Sequence, residues 1–170
     1  LFLTGVMFAE GRIAIHGTST LHDWAMISEK VDTTFESDAT KISKLNVSVQ
    51  IKTLKSGDTG LDEKAYETLK IDRNNVITFS LKEHNDNGTI RGVFKVLDKE
   101  REETLKPDVL TPTHVAGSFK VKMTEFGLEI PSVMFGAIKS GDEVTVKYDI
   151  KKLLIWFEAL YINTNLPSIL

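Results

Sequence analysis

Histidines are few and scattered in this sequence, and cysteine is absent, which excludes disulfides and thiolate metal sites. The histidines are His16, His22, His84 and His114. His16 and His22 lie on either side of a GTSTL segment, and Asp23 follows directly. A metal site needs three ligands that converge on one point, and strand alternation turns His16 to the face opposite Ile15, toward solvent. We interpret the histidines as turn or surface residues and predict neither a metal site nor a cofactor.

Nucleophilic catalysis has little support in the sequence. Neither Ser19 nor Ser132 lies in a G-x-S-x-G elbow, the turn that exposes the catalytic serine of α/β hydrolases. The polar residues that hint at chemistry are Tyr148 and the His22–Asp23 pair. We predict no catalytic residue and expect that the protein is not an enzyme.

The most informative stretch of the chain covers residues 114–150. Apolar and polar residues alternate over 115–123 and again over 144–150, which is typical of strands with one buried and one solvated face. The linker between them, EFGLEIPSVMFGAIKSGD, is unusually apolar. We interpret the two strands as part of a barrel wall, and we expect the linker to line its mouth through Phe126, Met134 and Phe135.

Further strand signals recur along the chain. Period-two alternation predicts strands over residues 12–17, 45–51, 77–81 and 90–97. The NDNG sequence at 85–88 predicts a hairpin turn. Gly92, inside a strand, indicates a bend or a close backbone approach. The predicted class is all-β, as an antiparallel sandwich or barrel.

One short helix interrupts this pattern. Residues 61–70 are good helix formers, and Leu61, Ala65 and Leu69 share one face. A helix of this length must dock on another element to persist. The charged run DKEREE at 98–103 is interpreted as a solvated tip.

The two ends of the sequence are strongly apolar and leave alternatives open. Residues 1–9 could be the tail of a signal peptide with Ala9 near the cleavage point, or a first strand. Residues 151–170 form an apolar extension, native or not, in which residues 153–162 could be a buried helix or a last strand. If it were exposed to water, this extension would form an apolar patch prone to association. We expect it to pack on the same chain or on a second copy, which would form a homodimer.

Bulk composition restricts the classes of protein that fit. The chain has 170 residues, which predicts one domain over 1–170 with room for a sizeable core. Its net charge of −3 argues against nucleic-acid binding, which favours a basic face. No apolar run reaches the length of about 20 residues that a transmembrane helix needs.

Four segments resemble the YceI-like family. They are GTSTLHDW, LKSGDTGLDEKAYETLK, ITFSL and VAGSFKVKMTEFGLEIPSVMFGAIKSGDEVTVKYDI. The resemblance covers residues 12–150 and leaves the 151–170 extension outside. It implies a lipocalin-like, extended antiparallel β-barrel of about eight strands. It also implies a bacterial protein exported to the periplasm, and binding of a long apolar molecule such as a polyisoprenoid, a quinone or a fatty-acid derivative.

A barrel of that size has room for one slim ligand among inward-facing apolar side chains. The residues expected to bind it are Trp24, Val49, Ile51, Phe79, Leu81, Phe94, Phe119, Val121, Phe126, Met134, Phe135, Val146 and Tyr148. Each buried methylene would contribute about 0.8 kcal/mol, and an ionised head would stay at the mouth. We therefore expect a periplasmic carrier or store. The alternatives are an enzyme that acts on a barrel-bound lipid or quinone, and a ligand-free structural or self-association domain.

Overall fold

The protein is mostly β, with one short helix. The computed structural model describes the backbone of residues 3–158 and the side chains of residues 7–153. The strands are β1 (Leu3–Gly17), β2 (Trp24–Ser28), β3 (Val31–Ser37), β4 (Ile42–Gln50), β5 (Val76–His84), β6 (Ile90–Val96), β7 (Lys99–Leu105), β8 (Val109–Thr111), β9 (His114–Lys122), β10 (Ser132–Val133), β11 (Ile138–Lys139) and β12 (Glu143–Glu158). The helix α1 (Thr59–Thr68) lies between β4 and β5.

The first sheet is antiparallel and contains five strands in the order β2-β1-β12-β9-β8. Strands β1 and β12 pair along their whole length, from Leu3 opposite Glu158 to His16 opposite Thr145. The alternation predicted for 144–150 is confirmed, because Val146 is buried while Lys147 is exposed.

The second sheet is a meander of five antiparallel strands in the order β3-β4-β5-β6-β7. The hairpin turn predicted at 85–88 joins β5 to β6. The amide of Asn85 donates to the carbonyl of Thr89 at 2.9 Å. Gly92 is a point of close approach, as predicted. A Cβ at this position would overlap the ring of Phe79 and lie 2.6 Å from the carbonyl oxygen of Ser80.

The two sheets face each other and enclose one apolar core. A two-residue connection, 29–30, carries the chain from β2 to β3, and residues 106–108 carry it back from β7 to β8. Within residues 3–158 no ladder joins β2 to β3 or β7 to β8. The closed barrel of about eight strands is therefore not confirmed: two open sheets meet at their edges through short connections.

Helix α1 begins and ends slightly earlier than the predicted range of 61–70. The Asp58 carboxylate caps it by accepting a hydrogen bond from the Leu61 amide at 3.0 Å, which satisfies one of the free amides of the first turn. Leu61, Ala65 and Leu69 pack against the core as predicted. The helix covers the open end between the two sheets, beside β2.

Two predicted elements differ in extent or kind. The strand predicted over 45–51 ends at Gln50, and Ile51 begins a 3₁₀ turn, Ile51–Thr53. Most of the charged run at 98–103 belongs to β7, so the solvated-tip interpretation was wrong about its backbone. The residues from Lys99 to Glu102 are nevertheless exposed, and such charges protect an edge strand from pairing with other chains.

The ends of the described chain are strands. Residues 3–9 lie in β1, in agreement with the first-strand alternative. Strand β12 continues to Glu158, so the helix alternative was wrong for 151–158. The remainder of the predicted extension, 159–170, lies outside the described residues. Pairing of residues 3–9 with 152–158 extends the first sheet as a two-stranded ribbon.

Candidate functional site

An inner chamber of about 70 Å³ lies between the two sheets. Strands β1, β9 and β12 form one wall, and β4, β5, β6 and β7 form the other. The residues of this chamber that the sequence predicted are Val49, Phe79, Phe94, Phe119, Val146 and Tyr148. Among residues 7–153, whose side chains are described, none that lines it is charged, so it suits an uncharged, apolar group.

An outer chamber of about 90 Å³ lies next to the inner one, under helix α1. The predicted residues that line it are Trp24, Phe94, Val121, Phe126 and Val146. Ala65 and Leu69 of α1 complete its wall. The docking of this short helix therefore shapes the cavity as well as protecting the core.

A mouth of about 320 Å³ leads from the outer chamber to solvent. It is bounded by the loop at 19–24, the first half of α1 and the crossover at 131–140. Trp24, Met26, Ala65 and Pro131 line both the outer chamber and the mouth. The inner chamber, the outer chamber and the mouth thus follow one another from the core to the surface.

Hydrogen bonds fix the loop at the mouth. The Trp24 Nε1 donates to the carbonyl of Thr18 at 3.0 Å. The Ser19 hydroxyl donates to the carbonyl of His22 at 2.7 Å and accepts from the His22 amide at 3.1 Å. The Thr20 amide donates to the carbonyl of Lys139 at 3.0 Å, which joins the loop to β11. The mouth therefore has a defined shape.

Charge is confined to the outer part of this path. His22, Asp58 and Lys64 line the mouth, whereas the described residues that line the two chambers are all uncharged. The separation suits a molecule with a long apolar body and a polar end.

The structure corrects the predicted lining of the mouth. Phe126 is buried, with only 2% exposed, because the 3₁₀ turn Met123–Phe126, which ends at Gly127 with φ 69°, directs its ring into the core. Met134 and Phe135 are 68% and 112% exposed and line neither chamber nor the mouth. From the same crossover, Val133 and Ile138 line the mouth instead.

Two other predicted residues lie outside the chambers. Ile51 is buried in its 3₁₀ turn, and Leu81 packs on the core beside the bulge that shifts the register of β5. Sequence reasoning missed Ile13 and Ile15, which line the inner chamber from β1, although their alternation was visible. It also missed Leu54, which lines both chambers but follows a turn without a repeating pattern.

The polar side chains singled out in the sequence are held apart. His22 bonds through Nδ1 to the carbonyl of Asp23 at 2.8 Å, His84 Nδ1 accepts from the Ile42 amide at 3.0 Å, and His114 Nε2 lies 2.8 Å from Asp149 Oδ1. In the described part of the chain, no three potential metal-ligating residues form a group.

The Tyr148 hydroxyl is buried, and no side chain or backbone group of the described residues forms a hydrogen bond with it. Burial, with a smaller contribution from the charge of Asp108, raises the pKa of Tyr148 to about 12. At neutral pH the phenol keeps its proton, which makes it a poor base or nucleophile.

Among residues 3–158 there is no helix long and apolar enough to cross a membrane.

The fold and the cavity define a class: a small antiparallel β protein whose apolar interior leads to a mouth at the surface. The model of the YceI-like domain matches residues 8–152. The chain therefore belongs to the YceI-like family. No curated protein sequence matches the chain.

Solved structures share this fold at low sequence identity. BcnA of Burkholderia cenocepacia has a TM-score of 0.68 at 12% identity, over 84% of this chain and 96% of that one. A polyisoprenoid-binding domain of Saccharophagus degradans, implicated in plant cell wall breakdown, has a TM-score of 0.62 at 10% identity, over 86% and 98%. A YceI protein of Campylobacter jejuni has a TM-score of 0.57 at 13% identity, over 77% and 83%.

Proposed function

We propose that the protein binds one long apolar molecule, a polyisoprenoid, a quinone or a fatty-acid derivative, and carries or stores it in a bacterial periplasm. The observation that carries this proposal is the series of two apolar chambers that leads to a mouth carrying His22, Asp58 and Lys64. The family membership and the polyisoprenoid-binding domain with the same fold support this class of ligand.

Burial of the ligand's chain supplies the binding energy. Each methylene removed from water contributes about 0.8 kcal/mol. The described lining of the two chambers carries no charged group that would lose hydration when the chain is bound. The polar end of the ligand stays beside His22, Asp58 and Lys64 at the mouth, because burying an ionised head would cost far more than the chain gains.

A long chain requires the two sheets to move apart. Chambers of about 70 and 90 Å³ are small, since a cavity of about 150 Å³ holds one benzene-sized molecule. The edges between β2 and β3 and between β7 and β8 have no ladder to break. Among the described residues, the sheets can therefore separate at the β7–β8 edge without breaking a ladder. On the β2 side, two backbone hydrogen bonds between Ile27 and Lys55, at 2.8 and 2.9 Å, tie β2 to the segment after β4.

Extraction identifies the ligand. Protein purified without detergent is extracted with organic solvent, and the extract is analysed by mass spectrometry. We expect one long apolar molecule per chain, which farnesol displaces in solution. A protein that yields no such molecule and that binds no added farnesol would contradict the proposal.

Two variants on helix α1 test whether this path is the binding site. Ala65 lies between the outer chamber and the mouth, so Ala65→Trp should block the path and abolish binding. Glu63 is exposed on the same helix, and Glu63→Trp should bind as the wild type does. Equal binding by both variants would place the ligand elsewhere.

The same preparation distinguishes the alternatives. If the ligand is converted to a product on incubation, the protein is an enzyme. If the ligand-free full-length chain dimerises in light scattering and binds no lipid, it is a self-association domain. A ligand that is recovered unchanged supports a carrier or store.

A further inference from the structure

The inner and outer chambers share part of their lining, which we call the waist. It consists of the five residues that line both chambers: Ile15, Leu54, Ile77, Phe94 and Val146. They come from both sheets and from the segment after β4. A chain that enters from the mouth must pass the waist to reach the inner chamber.

Phe94 is the aromatic residue of the waist, and its ring is held from both sides. It meets Phe119 of the inner chamber edge to face, with centroids 5.4 Å apart and planes at 87°. It meets Phe126 of the outer chamber in the same way, at 5.3 Å and 87°. Two such contacts favour one ring orientation, and only 8% of Phe94 is exposed.

We propose that Phe94 determines the length of the chain that the protein binds, because its ring separates the inner chamber from the outer one. The inference rests on the proposed function. A short chain occupies the outer chamber and the mouth and leaves the ring in place. A longer chain reaches the inner chamber only after the ring has turned and both edge-to-face contacts have been lost. Shorter apolar chains are therefore bound without this penalty.

The test measures affinity against chain length. Geraniol, farnesol and geranylgeraniol, which differ by one isoprenoid unit each, are titrated by calorimetry into full-length protein freed of co-purified lipid. Each methylene that becomes buried strengthens binding about fourfold. For the wild type we expect affinity to rise with length and then to level off.

In Phe94→Leu the affinity should continue to rise, with geranylgeraniol bound at least about tenfold tighter than by the wild type and geraniol bound equally well. Phe94→Trp should level off at a shorter chain. The matched control is Val96→Ala on the same strand, because Val96 lines the outer chamber alone. This control should weaken all three alcohols in parallel.

The outcomes separate the two proposals. A wild type that binds none of the alcohols contradicts the proposed function. A wild type that binds them, with Phe94→Leu and Val96→Ala showing the same dependence on length, overturns the role of Phe94 alone. Circular dichroism verifies folding, and Phe94→Met, which keeps a large apolar side chain, decides the question if Phe94→Leu does not fold.

Discussion

The indole ring of Trp24 lies directly against Gly17, its cross-strand partner where β1 meets β2. A Cβ on residue 17 would overlap the ring, so only glycine allows the indole to lie there. This contact and the bond from Trp24 Nε1 to Thr18 hold the indole between the outer chamber and the mouth.

Gly17→Ala should displace Trp24 and loosen the mouth. We expect the free energy of unfolding to fall by about 1–3 kcal/mol, as for other overpacked sites. Urea denaturation measures this change. In a Trp156→Phe background Trp24 is the remaining tryptophan, and its fluorescence emission should shift to longer wavelength when Gly17→Ala is introduced.

Gly60→Ala in the first turn of α1 is the control and should change stability by no more than about 0.5 kcal/mol. Equal losses in both variants would show that the contact with Trp24 has no special weight.

Asp62 stabilises the loop before α1 in its charged form. Its carboxylate accepts bonds from the Ser56 amide at 2.8 Å and the Ser56 hydroxyl at 2.7 Å. Burial alone would raise the pKa of Asp62, but these bonds and the charge of Lys55 outweigh it and hold the pKa below its ordinary 3.8. The unfolded chain therefore takes up this proton at a higher pH than the folded protein does.

Asp62→Asn should lower the free energy of unfolding by about 1–3 kcal/mol at pH 7. The difference from the wild type should be constant above about pH 5 and shrink as the pH falls through 3.8 and below. Urea denaturation at several pH values measures it. Glu63→Gln, an exposed change on the same helix, is the control and should cost no more than about 0.5 kcal/mol. A difference that stays constant down to pH 3 would assign the loss to packing instead of charge.

Phe135 combines full exposure with a strained backbone. Its φ is 56°, and its side chain is 112% exposed. Phe135→Gly should raise the free energy of unfolding by about 0.5–1 kcal/mol, since relief of the left-handed conformation exceeds the entropy that glycine adds to the unfolded chain. The control is Val133→Gly, where φ is −134° and the entropy alone should destabilise the protein. Thermal denaturation should give changes of opposite sign, and two losses would refute the prediction.

Period-two patterns predicted the long strands correctly because each has one face on the core. In β12 the alternation of buried Val146 and exposed Lys147 is visible in the letters alone. The close approach at Gly92 was equally readable, since a glycine within an apolar strand has few other uses. The apolar lining of the inner chamber follows from these patterns.

Features that depend on short turns were not predictable in the same way. The ring of Phe126 turns inward because a four-residue 3₁₀ segment follows β9, and such a segment has no period. The turn before β7 has Leu97 at φ 56°, and leucine has no preference for turns. No turn signal therefore marked the charged residues after it as a separate strand. Whether the two sheets close into a barrel depends on edge strands such as β2 and β8, which are too short to show a pattern.

Tyr148 and Tyr66 are two tyrosines in opposite situations. The Tyr148 hydroxyl is buried without a partner in the part of the chain that the structure describes. The Tyr66 hydroxyl donates to the carbonyls of Leu54 at 2.8 Å and Lys52 at 3.1 Å. An unsatisfied buried polar group destabilises the folded state, while a satisfied one contributes about 0.5–1.5 kcal/mol. Removing each hydroxyl should therefore have effects of opposite sign.

Tyr148→Phe should raise the free energy of unfolding at pH 7 by about 1 kcal/mol, and Tyr66→Phe should lower it by about as much. The gain should increase at high pH. The unfolded chain loses the Tyr148 proton near pH 10.0, but the folded protein keeps it up to about 12, so the wild type loses stability across that interval and Tyr148→Phe does not. Urea denaturation at pH 7, 9 and 11 measures both effects. If Tyr148→Phe is destabilising at pH 7, the hydroxyl must have a partner in solution. If the variant is stable but binds farnesol more weakly than the wild type, the bound ligand supplies the hydrogen-bond partner of the hydroxyl.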